Sequence, residues 1–129
     1  MATKVHLVST SGVFQEMEAR QHKMTADEPL NNHGTDKGPA PYDLLVASLA
    51  ACSSATLRIY ADRKGWTLGT ITADLTFSRD KEGNEMIERV ISFSKKMTDE
   101  QMGRISDIIE KTPVTKTLKR SMEITTKFV

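Results

Sequence analysis

The chain has 129 residues, with 18 Lys and Arg against 17 Asp and Glu, 5% aromatic residues and one cysteine. That length suits a single domain over residues 1–129, and the near-even charge excludes a field that would steer nucleic acid or bind an anionic membrane. Few aromatics and many Ala and Met residues predict a thin core for one copy alone. No apolar stretch reads as a signal peptide or a bilayer span, and the unpaired Cys52 points to a reducing cytoplasm.

From Lys4 to about Met24, two short runs alternate polar and apolar residues around Ser9-Thr10-Ser11-Gly12, which predicts a β-hairpin. Residues 26–39, rich in Gly, Pro, Asn and Asp, form a long loop without periodicity. Pro41 suits a first helical position, and no breaker follows until Gly65, so a helix is predicted over Pro41–Lys64. Its Leu, Ala, Ser and Cys residues lie all round rather than on one stripe, which predicts a central helix that is mostly buried. Ile71 to Phe77 alternates with a period of two, Asp80 to Asn84 turns the chain, and Met86 to Lys95 returns, giving a second hairpin. Thr98 with Gln101 predicts a capping box for a helix running to about Lys111. Thr112-Pro113 predicts an N-cap and first-position proline for a short helix through Lys119, and Glu123 to Val129 reads as a final strand.

Cys52 sits among small residues in the middle of the long helix. A lone thiol is either a small buried hydrophobe or a nucleophile, and the second role needs a cation or helix N-terminus beside a reachable sulfur. The helix's own dipole helps little at mid-length, so activation falls to residues from elsewhere: Arg20, His22 or the basic groups of the loop before Pro41. The other constellations point to no cofactor. His6, His22 and His33 lack metal-ligand spacing, Gly34 and Gly38 lack the Gly-Lys-Ser/Thr element of a phosphate loop, and Lys111, Lys116, Lys119 and Arg120 suit a solvated face.

Several segments together carry a family resemblance. They are Ala26-Asp27-Glu28-Pro29, Gly34-Thr35-Asp36-Lys37-Gly38-Pro39, Pro41-Tyr42-Asp43-Leu44-Leu45, Ala50-Ala51-Cys52 with Thr56-Leu57-Arg58, Tyr60-Ala61-Asp62-Arg63-Lys64-Gly65-Trp66, and Pro113-Val114-Thr115-Lys116-Thr117-Leu118. In this order, from about residue 14 to the C-terminus, they resemble the OsmC/Ohr family of thiol peroxidases, in its OsmC-like branch of small bacterial proteins. The resemblance implies an α+β fold, with two β-hairpins and a C-terminal strand around a long central helix. It also implies an intertwined homodimer with active sites at the subunit interface. The cysteine matched by Cys52 attacks a peroxide as a thiolate and becomes a sulfenic acid, which a second cysteine resolves as a disulfide.

Two departures bear on that chemistry. The second cysteine's position, just before the Pro-Val pair, is Thr112, which caps the helix or donates to a pocket but forms no disulfide. The family's glutamate, which orients an arginine toward the thiol, is matched in spacing by Tyr42. The nearest carboxylate is Asp43, about 100° further round the helix and well placed as a cap. Arg20 is the candidate arginine, or a surface residue of a strand; His22 lines the pocket or ends a strand. Two functions are therefore expected to compete. One is thiol-dependent reduction of small organic hydroperoxides through Cys52, regenerated by an external thiol reductant. The other is a non-catalytic binding protein that keeps the dimer and an apolar interface pocket.

Overall fold

The computed structural model describes residues 2–129, which form an α+β chain of two small sheets and three helices. Its residues group into two compact units, one running through Leu45 and the other spanning Val46–Val129.

In the first unit, β1 (His6–Val8), β2 (Gln15–Ala19) and β3 (His22–Ala26) make an antiparallel sheet in the order β1-β2-β3. Leu7 lies opposite Met17, and Met17 opposite Met24. The expected hairpin is therefore a three-stranded meander. Its second reversal is a two-residue turn at Arg20-Gln21, where Arg20 takes φ 54, a left-handed conformation more usual for Gly or Asn.

The loop after β3 is a hydrogen-bonded knot around Asp27, which is 1% exposed. The Asp27 carboxylate accepts from the Thr35 hydroxyl at 2.5 Å and from the amides of Glu28 (2.8 Å), Lys37 (3.1 Å) and Thr35 (3.3 Å). The Thr35 hydroxyl foremost, then these amides, outweigh desolvation and hold the carboxyl at about 2 against its usual 3.8. Gly34 is required here by close approach, since a Cβ would collide with the Glu28 carbonyl. The first unit ends in the opening turn of α1 (Pro41–Lys64).

In the second unit, β4 (Ile71–Arg79) and β5 (Glu85–Phe93) pair from Ile71 opposite Phe93 to Arg79 opposite Glu85. Asp80 closes their turn by accepting from the side chain and amide of Asn84 and from the Glu82 amide, each at 2.9 Å. Helix α2 (Asp99–Ile109) opens with the capping box that Thr98 and Gln101 predict, and α3 (Pro113–Lys119) follows. The core is Leu57, Ala61, Leu68 and Ile105, against which Trp66, Ile71, Ile91, Phe93 and Ile108 pack. Burying each of its large aliphatic side chains stabilises the unit by about 1.5–3 kcal/mol.

Three expectations need correction. Helix α1 is not mostly buried within one chain: only Leu49, Ser53, Leu57 and Ala61 are, a single stripe at every fourth residue. The 24-residue helix is about 36 Å long, and the small core covers one side of it while Ile59, for example, stays 54% exposed. By length and composition alone α1 is also apolar enough to cross a membrane, contrary to the sequence expectation. Its mid-length Ser53, however, hydrogen-bonds an arginine, which suits a helix packed against protein rather than lipid. Finally, residues 121–129 form no strand. A strand needs a ladder partner, this segment pairs with none in its own chain, and Ile124 and Phe128 are 84% and 94% exposed.

Candidate functional site around Cys52 and Arg89

Cys52 is half-buried on α1, with its Sγ 3.9 Å from Thr56 Oγ1 one turn on. The next residue, Ser53, is fully buried. Adjacent helical residues diverge by about 100°, so the two side chains leave on different sides of the helix. Ser53 Oγ donates to Leu49 O at 2.6 Å and accepts from Arg89 Nη1 at 2.8 Å.

Arg89 gathers the second unit's elements at one point. Nη1 donates also to Thr115 Oγ1 at 2.9 Å, and Nη2 donates to Ile109 O at 3.2 Å. Ile109 ends α2, whose last turn carries no basic residue, so Arg89 of β5 supplies the cation that a helix C-terminus favours. Thr115 lies in the first turn of α3, and its Oγ1 is 2.6 Å from that of Thr112. Among the described residues no buried side-chain nitrogen or oxygen lacks a hydrogen-bond partner. Sequence reasoning missed Arg89. The signal was available: Ile87, Arg89, Ile91 and Phe93 form one alternating, half-buried face of β5, interrupted by a single cation.

Beside this cluster lies an open groove of about 500 Å³, lined among others by Leu57, Arg89, Phe93, Met102, Ile105 and Ile109. Its size falls in the range of small-molecule sites, and its apolar side chains are joined by Arg89, Ser106, Glu110 and Lys119, a mixed lining that suits an apolar ligand carrying a polar group. Cys52 is not among its lining residues.

The remaining predicted residues divide between the units. Thr112, in the second with Cys52, occupies the N-cap position of α3, but its side chain makes no capping bond, contrary to expectation. Its hydroxyl is taken by Thr115 instead, and at 0% exposure it is no pocket donor. Arg20, His22, Tyr42 and Asp43 belong to the first unit. Arg20 is an exposed turn residue rather than a strand residue, His22 opens β3 rather than ending a strand, and Tyr42 is exposed. Asp43 Oδ2 accepts the Ala40 amide at 2.9 Å, the reach of a third helical residue back to its N-cap.

The family model for OsmC-like protein matches residues 34–127, which take in Cys52, Arg89 and Thr112. No curated protein matches by sequence. Three solved structures share the fold at low identity. One is a Psychrobacter arcticus protein named for an osmotic stress induced and detoxification response, 21% identical, with TM-score 0.80 over 91% of this chain and 88% of that one. Another is an OsmC-like protein from Mycoplasma pneumoniae, 22% identical, with TM-score 0.74 over 92% and 88%. The third is the organic hydroperoxide resistance protein OhrB of Bacillus subtilis, 18% identical, with TM-score 0.63 over 92% and 91%.

Proposed function

The chain belongs to the OsmC-like protein family, and from that we propose that it reduces organic hydroperoxides with Cys52 as its sole redox residue. The observation that carries this reading is the thiol itself, retained within the family match and half-buried rather than sealed in the core. The name of the Bacillus subtilis relative, an organic hydroperoxide resistance protein, points to the same substrate class.

In the reaction, the Cys52 thiolate attacks one peroxide oxygen. The sulfur–oxygen bond forms as the oxygen–oxygen bond breaks, and the departing alkoxide takes a proton and leaves as an alcohol. The sulfur, oxidised by two electrons, is then a sulfenic acid. An external thiol condenses with it, releasing water and leaving a mixed disulfide. A second thiol attacks that disulfide, freeing Cys52 and an oxidised thiol pair. The reductant comes from outside because the chain has one cysteine and Thr112 cannot supply sulfur.

The working form in this reading is a homodimer in the reducing cytoplasm, each chain one OsmC-like domain. The apolar side chain of Ile59, which α1 leaves 54% exposed, and the 121–129 segment, which joins no sheet, support a second copy as their cover. Arg20 is the cation proposed to stabilise the thiolate, with His22, Tyr42 and Asp43, which belong to the same unit as Arg20, proposed as its support.

A second reading, a non-catalytic binding protein, is favoured by one observation: the groove of about 500 Å³, lined by apolar side chains together with Arg89, Glu110 and Lys119, does not include Cys52. Turnover separates the two. Cumene hydroperoxide consumption should require both a small thiol such as dithiothreitol and Cys52, and Cys52→Ser should abolish it. Equal consumption by wild type and Cys52→Ser would leave the binding reading standing.

A further inference from the structure

We propose that Arg89 is the positioning residue that fixes where Cys52 sits, acting through Ser53; the functional consequence rests on Cys52 being the reactive group. Of the four buried residues of α1, Leu49, Leu57 and Ala61 are apolar and grip the helix without direction. Of these four, Ser53 is the one whose side chain makes a directional contact to another element, the 2.8 Å bond from Arg89 Nη1; a further directional contact of α1, exposed Arg58 Nη1 to Gly69 O at 2.8 Å, lies six residues beyond Cys52. Apolar packing tolerates a small rotation or slide of a helix far better than a hydrogen bond does. The orientation of α1 at Cys52, one residue away, is therefore set by Ser53.

Arg89 in turn is held from two further sides. Its bonds to Thr115 Oγ1 (2.9 Å) and Ile109 O (3.2 Å) anchor it on α3 and on the C-terminus of α2. A guanidinium donates in a planar fork with fixed directions, so one side chain sets the spacing of three elements together, which the point charge of a lysine cannot do. The network also ends on Thr112, through its 2.6 Å contact with Thr115. Hydrogen bonds from Ser53 through Arg89 and Thr115 thus join the neighbour of Cys52 to the position where relatives carry the resolving cysteine. In this chain a non-covalent strut spans the two places.

The test uses Ser53→Ala, Arg89→Met, Arg89→Lys and the double variant Ser53→Ala/Arg89→Met. Two readouts are followed: the rate of Cys52 oxidation by cumene hydroperoxide, and the NMR resonance of Cys52 labelled with 13C at Cβ. Ser53→Ala and Arg89→Met should each slow oxidation by about tenfold or more, the scale that misplacement of a reacting group produces. Both should move the Cys52 resonance in the same direction. Arg89→Lys should behave like Arg89→Met, and the double variant should be no slower than the worse single, because both break one strut. A wild-type rate and an unmoved resonance in Ser53→Ala would overturn the proposal, as would additive losses in the double variant. Should Arg89→Met fail to fold, Ser53→Ala decides alone, since alanine is the better helix former. Should the wild-type thiol not react with peroxide, the peroxidase reading falls, and the resonance still decides whether Arg89 positions Cys52.

Discussion

Replacing Thr112 with valine keeps the shape of the side chain and removes one hydroxyl from a site that is 0% exposed. The hydroxyl's bond is the 2.6 Å contact with Thr115 Oγ1, and losing it costs about 1 kcal/mol. Thr115 still bonds Arg89 at 2.9 Å and Ile109 O at 3.5 Å, so no orphaned group adds the further penalty of about 1–3 kcal/mol. A buried methyl in place of the hydroxyl returns up to about 0.8 kcal/mol. The net loss is therefore about 1 kcal/mol or less. With an unfolding entropy of about 2.1 cal/mol/K per residue, that lowers Tm by about 4 °C at most. Calorimetry at a fixed protein concentration measures this, because self-association would make Tm concentration-dependent. The rate of Cys52 oxidation, followed on the same sample, should stay at its wild-type value, because Thr115 and the Ile109 carbonyl still hold Arg89 against Ser53. A fall in Tm beyond about 10 °C, or a change of about tenfold in that rate, would refute the assignment of Thr112 as a buried structural link.

Further outcomes follow from the loop before α1 and from α2. The Asp27 carboxyl titrates lower in the folded chain, at about 2, than its usual 3.8, so its stabilising contribution is full above about pH 4 and drains away as the pH falls through about 2. Thermal melts between pH 5 and pH 2 should show that loss in the wild type, and the wild type's advantage over Asp27→Asn should shrink across the same window; a constant difference would contradict it. Gly34→Ala drives a Cβ into the Glu28 carbonyl and should destabilise by at least about 2 kcal/mol, whereas Gly103→Ala on α2 meets nothing and should stabilise by about 0.5–1 kcal/mol. Urea denaturation of the two variants checks the opposite signs.

Local signals made much of this architecture readable from residues alone. The bounds of α1 follow from Pro41 and Gly65, β4 from its alternation, and α2 from the reciprocal bonds of Thr98 and Gln101. The turn at Arg20-Gln21 was not readable, because it contains neither Gly nor Asn and yet adopts a left-handed φ. Residues 123–129 alternate like a strand, but alternation reports a surface that fits a sheet and says nothing of the partner that would complete it. The polar knots escaped for a different reason. Asp27 is satisfied from residues up to ten positions away and leaves no local pattern, whereas Arg89 shows locally as the one cation on the half-buried face of β5, but its partner Ser53, 36 positions away, does not show. Thr112 illustrates the competition directly: its sequence context promises a backbone cap, and a neighbouring hydroxyl takes the bond instead.

Whether Cys52 is a reactive thiol is read from the intact mass of the protein after brief exposure to a modest excess of cumene hydroperoxide. A reactive Cys52 gains one oxygen, located on it by peptide mapping, captured by a sulfenic-acid trap and reversed by dithiothreitol. A Cys52 that stays unmodified while the peroxide persists would contradict that reactivity.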